Sequence, residues 1–483
     1  MLKGMNHRMA LEPAANGPPL RAGSISFWGA FAISFGNMAP AASVLFLPQA
    51  MAQFTGTAVP LAFVFAMIAA FLTAASILHF VKRFASSGAA YTFNAMGFGK
   101  VFGFLSGWML WLAYGLALPA NLLVFGYFAQ GFVAQLAGTT VSWMVFALFA
   151  LAAVAYLAVR GIRSSARVDL ALGVVETAII LGLALAIVFQ GGAHGNTWAV
   201  FSPANAPGSW VGIVFGMLYG VGAFAGFEAS ATVAEEVQNR FKTVPAAIFL
   251  TLIIGGALYV LVSYAIAIGY GANSGNALAR ATSPLGTLAI HFVGRWMALL
   301  VDLAAMASAL GISLASANAS ARVLYKMGSD QVVSRWFAAT HERYATPHHA
   351  TLFMAALGAL IIVGLGTVAN PYPEGFSYLV AAADVLGLTL YVSVNLAWVR
   401  VWWKDQQHHQ MGFLVGVVPS VLGAVVMLIP LVSTIYPIPA WPLNLALYLT
   451  FAYVAAGLVF AFMLKVRHPQ RLAQAGETFS EAK

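Results

Sequence analysis

Long apolar runs dominate this chain of 483 residues and limit what it can fold into. A helix needs about 20 mostly apolar residues to cross a bilayer. Only 8% of the residues are charged, whereas a soluble domain carries about a quarter. We therefore predict an all-α membrane protein with about twelve transmembrane helices, at 24–54, 57–80, 101–134, 140–160, 168–190, 207–236, 245–270, 292–321, 349–369, 377–400, 411–433 and 440–466.

The basic residues predict how these helices are oriented. If the N-terminus is cytoplasmic, all of the 23 basic residues except Arg280 and Arg295 fall in cytoplasmic loops or tails. Positive charge is concentrated on the cytoplasmic side of membrane proteins. We expect a bacterial-type cytoplasmic (inner) membrane protein with cytoplasmic tails at 1–23 and 467–483. The net charge of +9 then reflects topology and not nucleic-acid binding, and the absence of cysteine excludes thiolate metal sites.

Two of the runs contain residues that interrupt a helix. The first run includes Gly36-Asn37-Met38-Ala39-Pro40, and the sixth includes the glycine-rich stretch 220–228, which ends Gly226-Phe227-Glu228. Gly in a membrane helix also serves close helix packing. Here, however, the interruptions lie in runs one and six, five helices apart. Paired interruptions in corresponding halves point to a transporter site built from inverted repeats.

Interrupted helices offer charge complementarity without charged side chains. The second half of a broken helix begins with unpaired N–H groups, and the first half ends with unpaired carbonyl groups. We predict that Pro40 begins the second half of the first helix. The N–H groups of Met38, Ala39 and Ala41 would then face an anion, and the carbonyl groups near Phe224 and Ala225 would face an amine. Such a site fits an α-amino acid.

Further motifs resemble the amino acid–polyamine–organocation (APC) superfamily of permeases. They appear in order as "MAPAAS" at 38–43, the loop 83–91 with 103–108, Gly226–Ala229 with Glu235-Glu236 and 242–247, and 321–325 with Asp330, Ser334 and Thr346-Pro347. The resemblance covers most of the chain. It implies a ten-helix core at 24–400 with inverted repeats at 24–190 and 207–400, and two additional helices at 411–466. It also implies secondary transport of amino acids or related amines.

The resemblance also implies which residues line the substrate pocket. Tyr114, Phe224 and Tyr391 lie where family members place pocket aromatics, and Phe224 can cover an ammonium by cation–π contact. Ser313, Ser316 and Asn318 are expected to face the first helix. The broken segments contribute the remaining candidates, Asn37, Met38, Ala39, Ala225 and Gly226; Asn37 and Met38 replace smaller residues of many members, which puts the substrate in question.

Four acidic residues are assigned to the membrane, where a carboxyl group is costly and usually functional. By resemblance, Glu176 falls where some proton-coupled members have a lysine, and we expect it to be the proton-coupling site; the alternative is a structural hydrogen bond between helices. Glu228 is expected to link the sixth-helix break to its neighbours in gating, or to cap a helix. Asp302 and Asp384 have no family role and are possible contacts for a cationic substrate.

The leading interpretation is a proton-coupled amino acid symporter. Alternatives of the same class are a polyamine or amine carrier and an exchanger. A sensor or a channel subunit is the alternative from another class, disfavoured because neither an output domain nor a continuous polar lining is visible. No enzyme motif, cofactor motif or metal-spaced histidine cluster is present. The expected partners are a small-molecule substrate, H⁺ and membrane lipid.

Overall fold

The computed structural model describes residues 20–84, 87–281, 283–404 and 412–476. The regular structure in these ranges is helical. The α-helices are α1 (Phe27–Asn37), α2 (Pro40–Thr55), α3 (Val59–Val81), α4 (Ala90–Phe98), α5 (Lys100–Ala137), α6 (Trp143–Arg160), α7 (Ile162–Phe189), α8 (Trp210–Ala223), α9 (Arg240–Tyr270), α10 (Gly275–Arg280), α11 (Pro284–Phe292), α12 (Arg295–Ser329), α13 (His348–Gly366), α14 (Phe376–Lys404), α15 (Phe413–Gly416), α16 (Val418–Ile435), α17 (Leu443–Arg467) and α18 (Pro469–Ala473).

Shorter helical turns connect them. They are the 3₁₀ turns Trp198–Phe201, Pro203–Asn205, Ala229–Glu236 and Arg335–Ala338, and the π-helical turn Pro371–Gly375. The turn Ala229–Glu236 follows α8 after its interruption, so we call it the second half of the α8 segment.

The described helices are long and apolar enough to form an integral membrane protein. Eleven of them qualify as membrane spans by length and composition, and α1 with α2 counts as one span of 29 residues. Helix α8 is shorter, because it stops at Ala223 inside the predicted sixth run. The interruption predicted in the run 207–236 is therefore present, and the part of the run that follows it is 3₁₀ and not α-helical. Several other helices begin or end up to eight residues beyond the predicted limits.

The interrupted helices lie at the centre of the bundle. In the most apolar window of the α1–α2 span, 83% of the residues are buried, against 28% in α6, α7, α13 and α17. Helices α7, α9 and α12 pack around α1, and α3 and α2 pack against α8. The last helices are peripheral, since α16 contacts α14 and α3 while α17 contacts α14 and α5. The most buried span is therefore the one that contains the first interruption.

One end of the bundle gathers the start of α1 and the basic loops, and we call it the N-terminal end. There, Ile25 bridges to Val237, and Arg163 donates a hydrogen bond to the carbonyl oxygen of Ser24. Arg21 donates to the carbonyl oxygen of Arg343. These contacts bring four separate segments of the chain to the same end, as expected for helices that cross back and forth.

Parts of the sequence-based prediction lie outside the described residues. They are the tail up to residue 19 with Lys3 and Arg8, the residues Ala85 and Ser86 of the loop motif, residue 411 at the predicted start of the eleventh run, and the tail from 477 with Lys483.

Candidate functional site

The first interruption separates α1 from α2 at two residues. Helix α1 ends at Asn37, and Pro40 is the first residue of α2, as predicted. Between them, Ala39 adopts a left-handed conformation with φ 46° and ψ 67°. Proline suits a helix start because it has no N–H group to leave unpaired. The left-handed residue Ala39 therefore separates the two helices, and the second begins at Pro40.

Most of the N–H groups predicted to face an anion at this break are already paired. The N–H of Met38 donates to carbonyl oxygens of α1, and the N–H of Ala39 donates to the carbonyl oxygen of Gly36 over 3.0 Å. The prediction is therefore wrong for these two residues, because their N–H groups close the last turn of α1. Only the N–H of Ala41 points at an anionic group, and that group belongs to the protein.

The carboxyl group of Glu176 in α7 occupies the start of α2. Its Oε2 atom lies 3.4 Å from the backbone nitrogen of Ala41, and Glu176 is only 2% exposed. The neighbouring N–H of Ala42 donates to the hydroxyl oxygen of Ser308 in α12 over 3.1 Å. A carboxylate at a helix N-terminus is favoured by the helix dipole. The protein thus places its own acidic side chain at the position predicted for a substrate carboxylate.

The second interruption lies between α8 and the 3₁₀ turn Ala229–Glu236. Helix α8 ends at Ala223, and Gly226 has a φ of +87°, which favours glycine. The carbonyl oxygen of Phe224 accepts a 3.3 Å hydrogen bond from the N–H of Phe227. The carbonyl oxygen of half-buried Ala225 accepts none from the part of the chain that the structure describes. Of the two carbonyl groups predicted to face an amine, only that of Ala225 is open.

The two interruptions touch each other. A Cβ atom placed on Gly226 would lie 3.0 Å from Cγ of Asn37, so only a glycine lets these segments approach so closely. The side-chain oxygen of Asn37 accepts a 2.8 Å hydrogen bond from Ser316 of α12, while its Nδ2 atom is buried and has no partner among the described residues. A hydroxyl–hydroxyl contact of 2.8 Å between Ser34 and Ser230 adds a second link.

Tyr259 of α9 also joins the two interruptions, and the sequence analysis missed it. Its hydroxyl group lies 2.8 Å from the carbonyl oxygen of Ala223 and 3.2 Å from that of Met38. One hydroxyl hydrogen thus serves the carbonyl ends of both broken helices. Phe224 packs on the Tyr259 ring at 5.1 Å in an edge-on arrangement. The signal available in the sequence was a lone tyrosine after Gly255-Gly256, which is too common to single out.

Glu228 anchors the second interruption through two tyrosines. Its carboxylate oxygens each accept a 2.7 Å hydrogen bond, one from the hydroxyl of Tyr114 in α5 and one from that of Tyr391 in α14. The Tyr391 hydroxyl in turn accepts a 2.9 Å hydrogen bond from the backbone N–H of Gly226. The predicted pocket residues Tyr114, Tyr391 and Gly226 are thereby brought together around Glu228, which connects the break to two neighbouring helices.

Asp169 is a further buried acid that the sequence analysis did not select. It is 1% exposed, and neither of its carboxyl oxygens has a partner among the described residues. It was overlooked because it stands next to residue 168, where the fifth run was predicted to begin. Helix α7 instead begins at Ile162, which places Asp169 two turns inside the helix and against Gly36 of α1.

The remaining candidates lie away from the two interruptions or face elsewhere. Ser316 faces α1 as predicted, but Ser313 donates to Ala309 within its own helix and Asn318 donates to Ser165 of α7. The prediction that all three face the first helix is therefore wrong for two of them, because α12 is rotated so that Ser308 and Ser316 point at the break. Asp302 accepts a 3.4 Å hydrogen bond from Gln135 at the far end of α5.

Asp384 is half-buried on α14, two turns before Tyr391 and thus on the same side of that helix. It therefore stands on the approach to the Glu228 network, on the side away from the N-terminal end. Asp302 and Asp384 are not brought together by the fold.

The touching segments leave two polar groups without a partner among the described residues. An unpaired amide donor on Asn37 and an unpaired carbonyl acceptor on Ala225 lie on the two touching segments. Acidic side chains from α7 and from the second break stand on either side. The described residues contain no group of three or more histidine or acidic residues that could hold a metal ion.

Comparison with known proteins identifies the family of this chain. A family model described as amino acid permease matches residues 25–462. The low-affinity putrescine importer of Escherichia coli is 26% identical over 359 residues, which cover 73% of this chain and 75% of the importer. The branched-chain amino acid permease of Bacillus subtilis is 27% identical over 391 residues, 77% of this chain and 79% of the permease. An uncharacterized transporter of Mycobacterium tuberculosis is 31% identical over 337 residues, 69% and 72% of the two chains.

Proposed function

This chain belongs to the amino acid permease family of the APC superfamily, and on that premise we propose that it is a proton-coupled symporter of amino acids or related amines. Transport would proceed by alternating access around the two touching interruptions. The contact between Asn37 and Gly226 carries the proposal, because it places an unpaired donor and an unpaired acceptor on one small surface. An α-amino acid presents the complementary pair, a carboxylate and an ammonium group.

We infer twelve membrane spans, with the α8 segment as the sixth. The supporting observation is that the first helix of each half is broken, at Ala39 in residues 24–190 and at Gly226 in residues 207–400. The helices within 411–466 lie at the edge of the bundle, which fits two additions to a ten-helix core. The basic residues at the N-terminal end favour placing that end in the cytoplasm, and thus an inner-membrane location.

This orientation has a direct test because the chain contains no cysteine. Single cysteines replace Glu342, which is exposed in the loop before α13, and Glu374, which is exposed in the turn before α14. In intact cells, we expect a membrane-impermeant thiol reagent to label the Glu374→Cys protein and to leave the Glu342→Cys protein unlabelled until the cells are opened. The opposite pattern would reverse the orientation.

Substrate binding is tested with purified protein in a thermal-shift screen. Binding to the folded state raises the unfolding temperature by mass action, so we expect a stabilisation by one or more amino acids or amines. Radiolabelled uptake into proteoliposomes then tests transport, with an inward proton gradient as the driving force. An absence of both stabilisation and uptake across leucine, lysine and putrescine would argue against the permease activity and in favour of a sensor.

Gly226→Leu tests the site itself, with Gly222→Leu as the matched control. A side chain at position 226 would meet Asn37 and strain the backbone, whereas a Cβ at position 222 meets nothing within 4 Å. We expect Gly226→Leu to abolish binding while expression is unchanged, and Gly222→Leu to bind as the natural protein does. Equal uptake by the two variants would move the substrate site away from the interruptions.

An amine carrier is the second candidate, and the position of Glu176 favours it. The start of α2 is already occupied by the Glu176 carboxylate. A substrate carboxylate at this place would meet like charge, whereas an amine without a carboxylate would be attracted. The variant Glu176→Gln therefore distinguishes the two candidate functions. For an amine carrier, we expect it to weaken binding of putrescine and to leave binding of leucine unchanged or stronger.

Proton coupling is proposed to depend on Glu176, which reaches the first interruption from α7. With the neutral amide, Glu176→Gln should keep binding but lose the dependence of uptake on pH. Retention of proton-driven accumulation by this variant would reject the role. An exchanger, in contrast, would show uptake only when substrate is loaded on the inside of the vesicles.

A further inference from the structure

Helix α7 carries two buried carboxyl groups, one on each side of the first interruption. Asp169 lies against the end of α1, where a Cβ placed on Gly36 would be 3.4 Å from its Cγ atom. Glu176 lies against the start of α2, at the N–H of Ala41. Their separation of seven positions corresponds to two helical turns, about 10 Å along the axis and on the same face. The two acids therefore straddle the break.

The surroundings of the two carboxyl groups differ in hydrogen-bond donors. Glu176 receives the N–H of Ala41, whereas both oxygens of Asp169 are buried without a partner among the described residues. The neighbours of the Asp169 carboxyl group include Gly36 of α1 and Gly311 of α12, which have no side chain that could donate a hydrogen bond. A buried carboxylate without donors or a counter-charge costs several kcal/mol. The neutral carboxylic acid is therefore the form of Asp169 that this environment accommodates.

The charged groups around Asp169 do not neutralise it. From α12, Arg322 approaches only as far as Asn318, and its guanidinium group forms a 2.7 Å ion pair with Glu236. From α9, Tyr259 turns its hydroxyl group to the carbonyl oxygens of Ala223 and Met38. The segments of α1 and α2 at the break contribute no titratable side chain. The basic residues at the adjacent ends of α6 and α7 are exposed: Arg160, Arg163 and Arg167.

We propose that Asp169 is the resident proton site of this carrier and shares one coupled proton with Glu176. In the conformation described, the proton is on the Asp169 carboxyl group, and Glu176 is the ionised member, held by the first turn of α2. When the halves of the broken helix move, the Asp169 acid releases its proton toward the N-terminal end, and the pair takes up the next proton from the opposite side through the Glu176 carboxylate, so that one proton crosses the membrane in each cycle. This inference rests on the proton coupling proposed above and names its site.

Infrared spectroscopy of the purified full-length protein tests the location of the proton without transport. A protonated carboxyl group has a C=O stretching band that the ionised group lacks. We expect Asp169→Asn to lose one component of this band, and Glu176→Gln to keep it. The exposed Glu342→Gln serves as the control and should leave the band unchanged. Persistence of the whole band in Asp169→Asn, or loss of the component only in Glu176→Gln, would overturn the proposal.

Transport assays test whether that proton is the coupled one. In proteoliposomes with radiolabelled leucine and putrescine as probes, we expect Asp169→Asn to lose accumulation driven by a proton gradient and to retain counterflow exchange, which shows that the variant is folded. Proton-driven accumulation by Asp169→Asn would overturn the assignment, as would a sodium requirement that disappears in this variant. If the natural protein ignores the proton gradient but the infrared band still depends on Asp169, the coupling proposal fails and the proton site stands.

Discussion

The two interrupted helices reach the same point in the molecule by different chemistry. The first break, at Ala39, restarts as a regular helix of 16 residues, and the groups that complete it come from other helices, including Glu176. The second break, at Gly226, continues as a 3₁₀ turn and carries its own acid, Glu228, which receives hydroxyl groups from its neighbours. At the first break, a backbone N–H group of the broken helix faces an acidic side chain from another helix. At the second break, the acidic side chain belongs to the broken segment, and other helices supply the hydroxyl donors.

This difference suggests a division of roles. The first turn of α2 is an α-helical turn, and a carboxyl group at its start can respond to movement of that turn. The 3₁₀ segment has weaker internal hydrogen bonds, so its position depends on side chains of the surrounding helices. We therefore expect substitutions around the second break to change stability more strongly than those around the first. The following variants test this comparison, from the largest expected effect to the smallest.

The largest effect is expected at the end of the 3₁₀ segment, where Glu236 pairs with Arg322. Both side chains are 1% exposed, and the shortest N–O distance is 2.7 Å. Removing one partner leaves a buried charge unpaired, so Arg322→Met should lower the free energy of unfolding by about 3–5 kcal/mol. Chemical denaturation in detergent micelles measures it, with the exposed Arg335→Met as control. A loss as small as that of the control would mean that the pair does not hold the segment.

The two tyrosines that contact Glu228 should differ from each other. Tyr114→Phe removes one hydrogen bond to a carboxylate, a loss of about 1.5–3 kcal/mol. Tyr391→Phe removes the equivalent bond and also leaves the N–H of Gly226 without its acceptor, which adds about 1 kcal/mol. The same denaturation measurement compares them. If Tyr114→Phe were the more damaging variant, the second break would not depend on the acceptor role of Tyr391.

Ser308→Ala is the corresponding change at the first break. The serine hydroxyl accepts the N–H of Ala42 in the first turn of α2. Its loss should cost about 1–2 kcal/mol, because the hydroxyl also forms a hydrogen bond with the carboxyl group of Glu176. This is less than expected for Tyr391→Phe, since the acceptor is uncharged and Ala41 keeps its contact with Glu176. If Ser308→Ala lowered the free energy of unfolding as much as Tyr391→Phe does, the stability of the two breaks would not differ as proposed.

The interruptions were predictable from sequence because they result from local chemistry. Pro40 lacks an N–H group and Gly226 tolerates a positive φ, so each marks its break directly. The groups that fill the breaks were not predictable in the same way. Asp169, Tyr259 and Ser308 lie on helices that are apolar on nearly every face. The apolar pattern of such helices does not reveal their rotation, and a polar side chain can then face any neighbour.

The same limit explains the errors at α12 and at Met38. Ser313 and Ser316 are three residues apart, and only the packed structure shows that Ser316 faces α1 while Ser313 bonds within its own helix. The N–H groups of Met38 and Ala39 were assigned to an anion because a helix start was assumed to leave several free. A tight last turn of α1 uses them instead. The geometry of the last turn of α1 thus determines which N–H groups remain unpaired at the start of α2.

The smallest effect is expected at Ala39, the residue that makes the first break. Its left-handed backbone costs an alanine about 1–2 kcal/mol, which glycine would avoid. Glycine also gains freedom in the unfolded chain, which offsets about 0.4–1 kcal/mol of that benefit. Ala39→Gly should therefore raise the free energy of unfolding by about 1 kcal/mol or less, whereas Gly226→Ala, which imposes strain and meets Asn37, should lower it. If both substitutions lowered the free energy of unfolding, the methyl group of Ala39 would contribute more through its packing contacts than its backbone conformation costs. Packing would then stabilise the first break as much as the second.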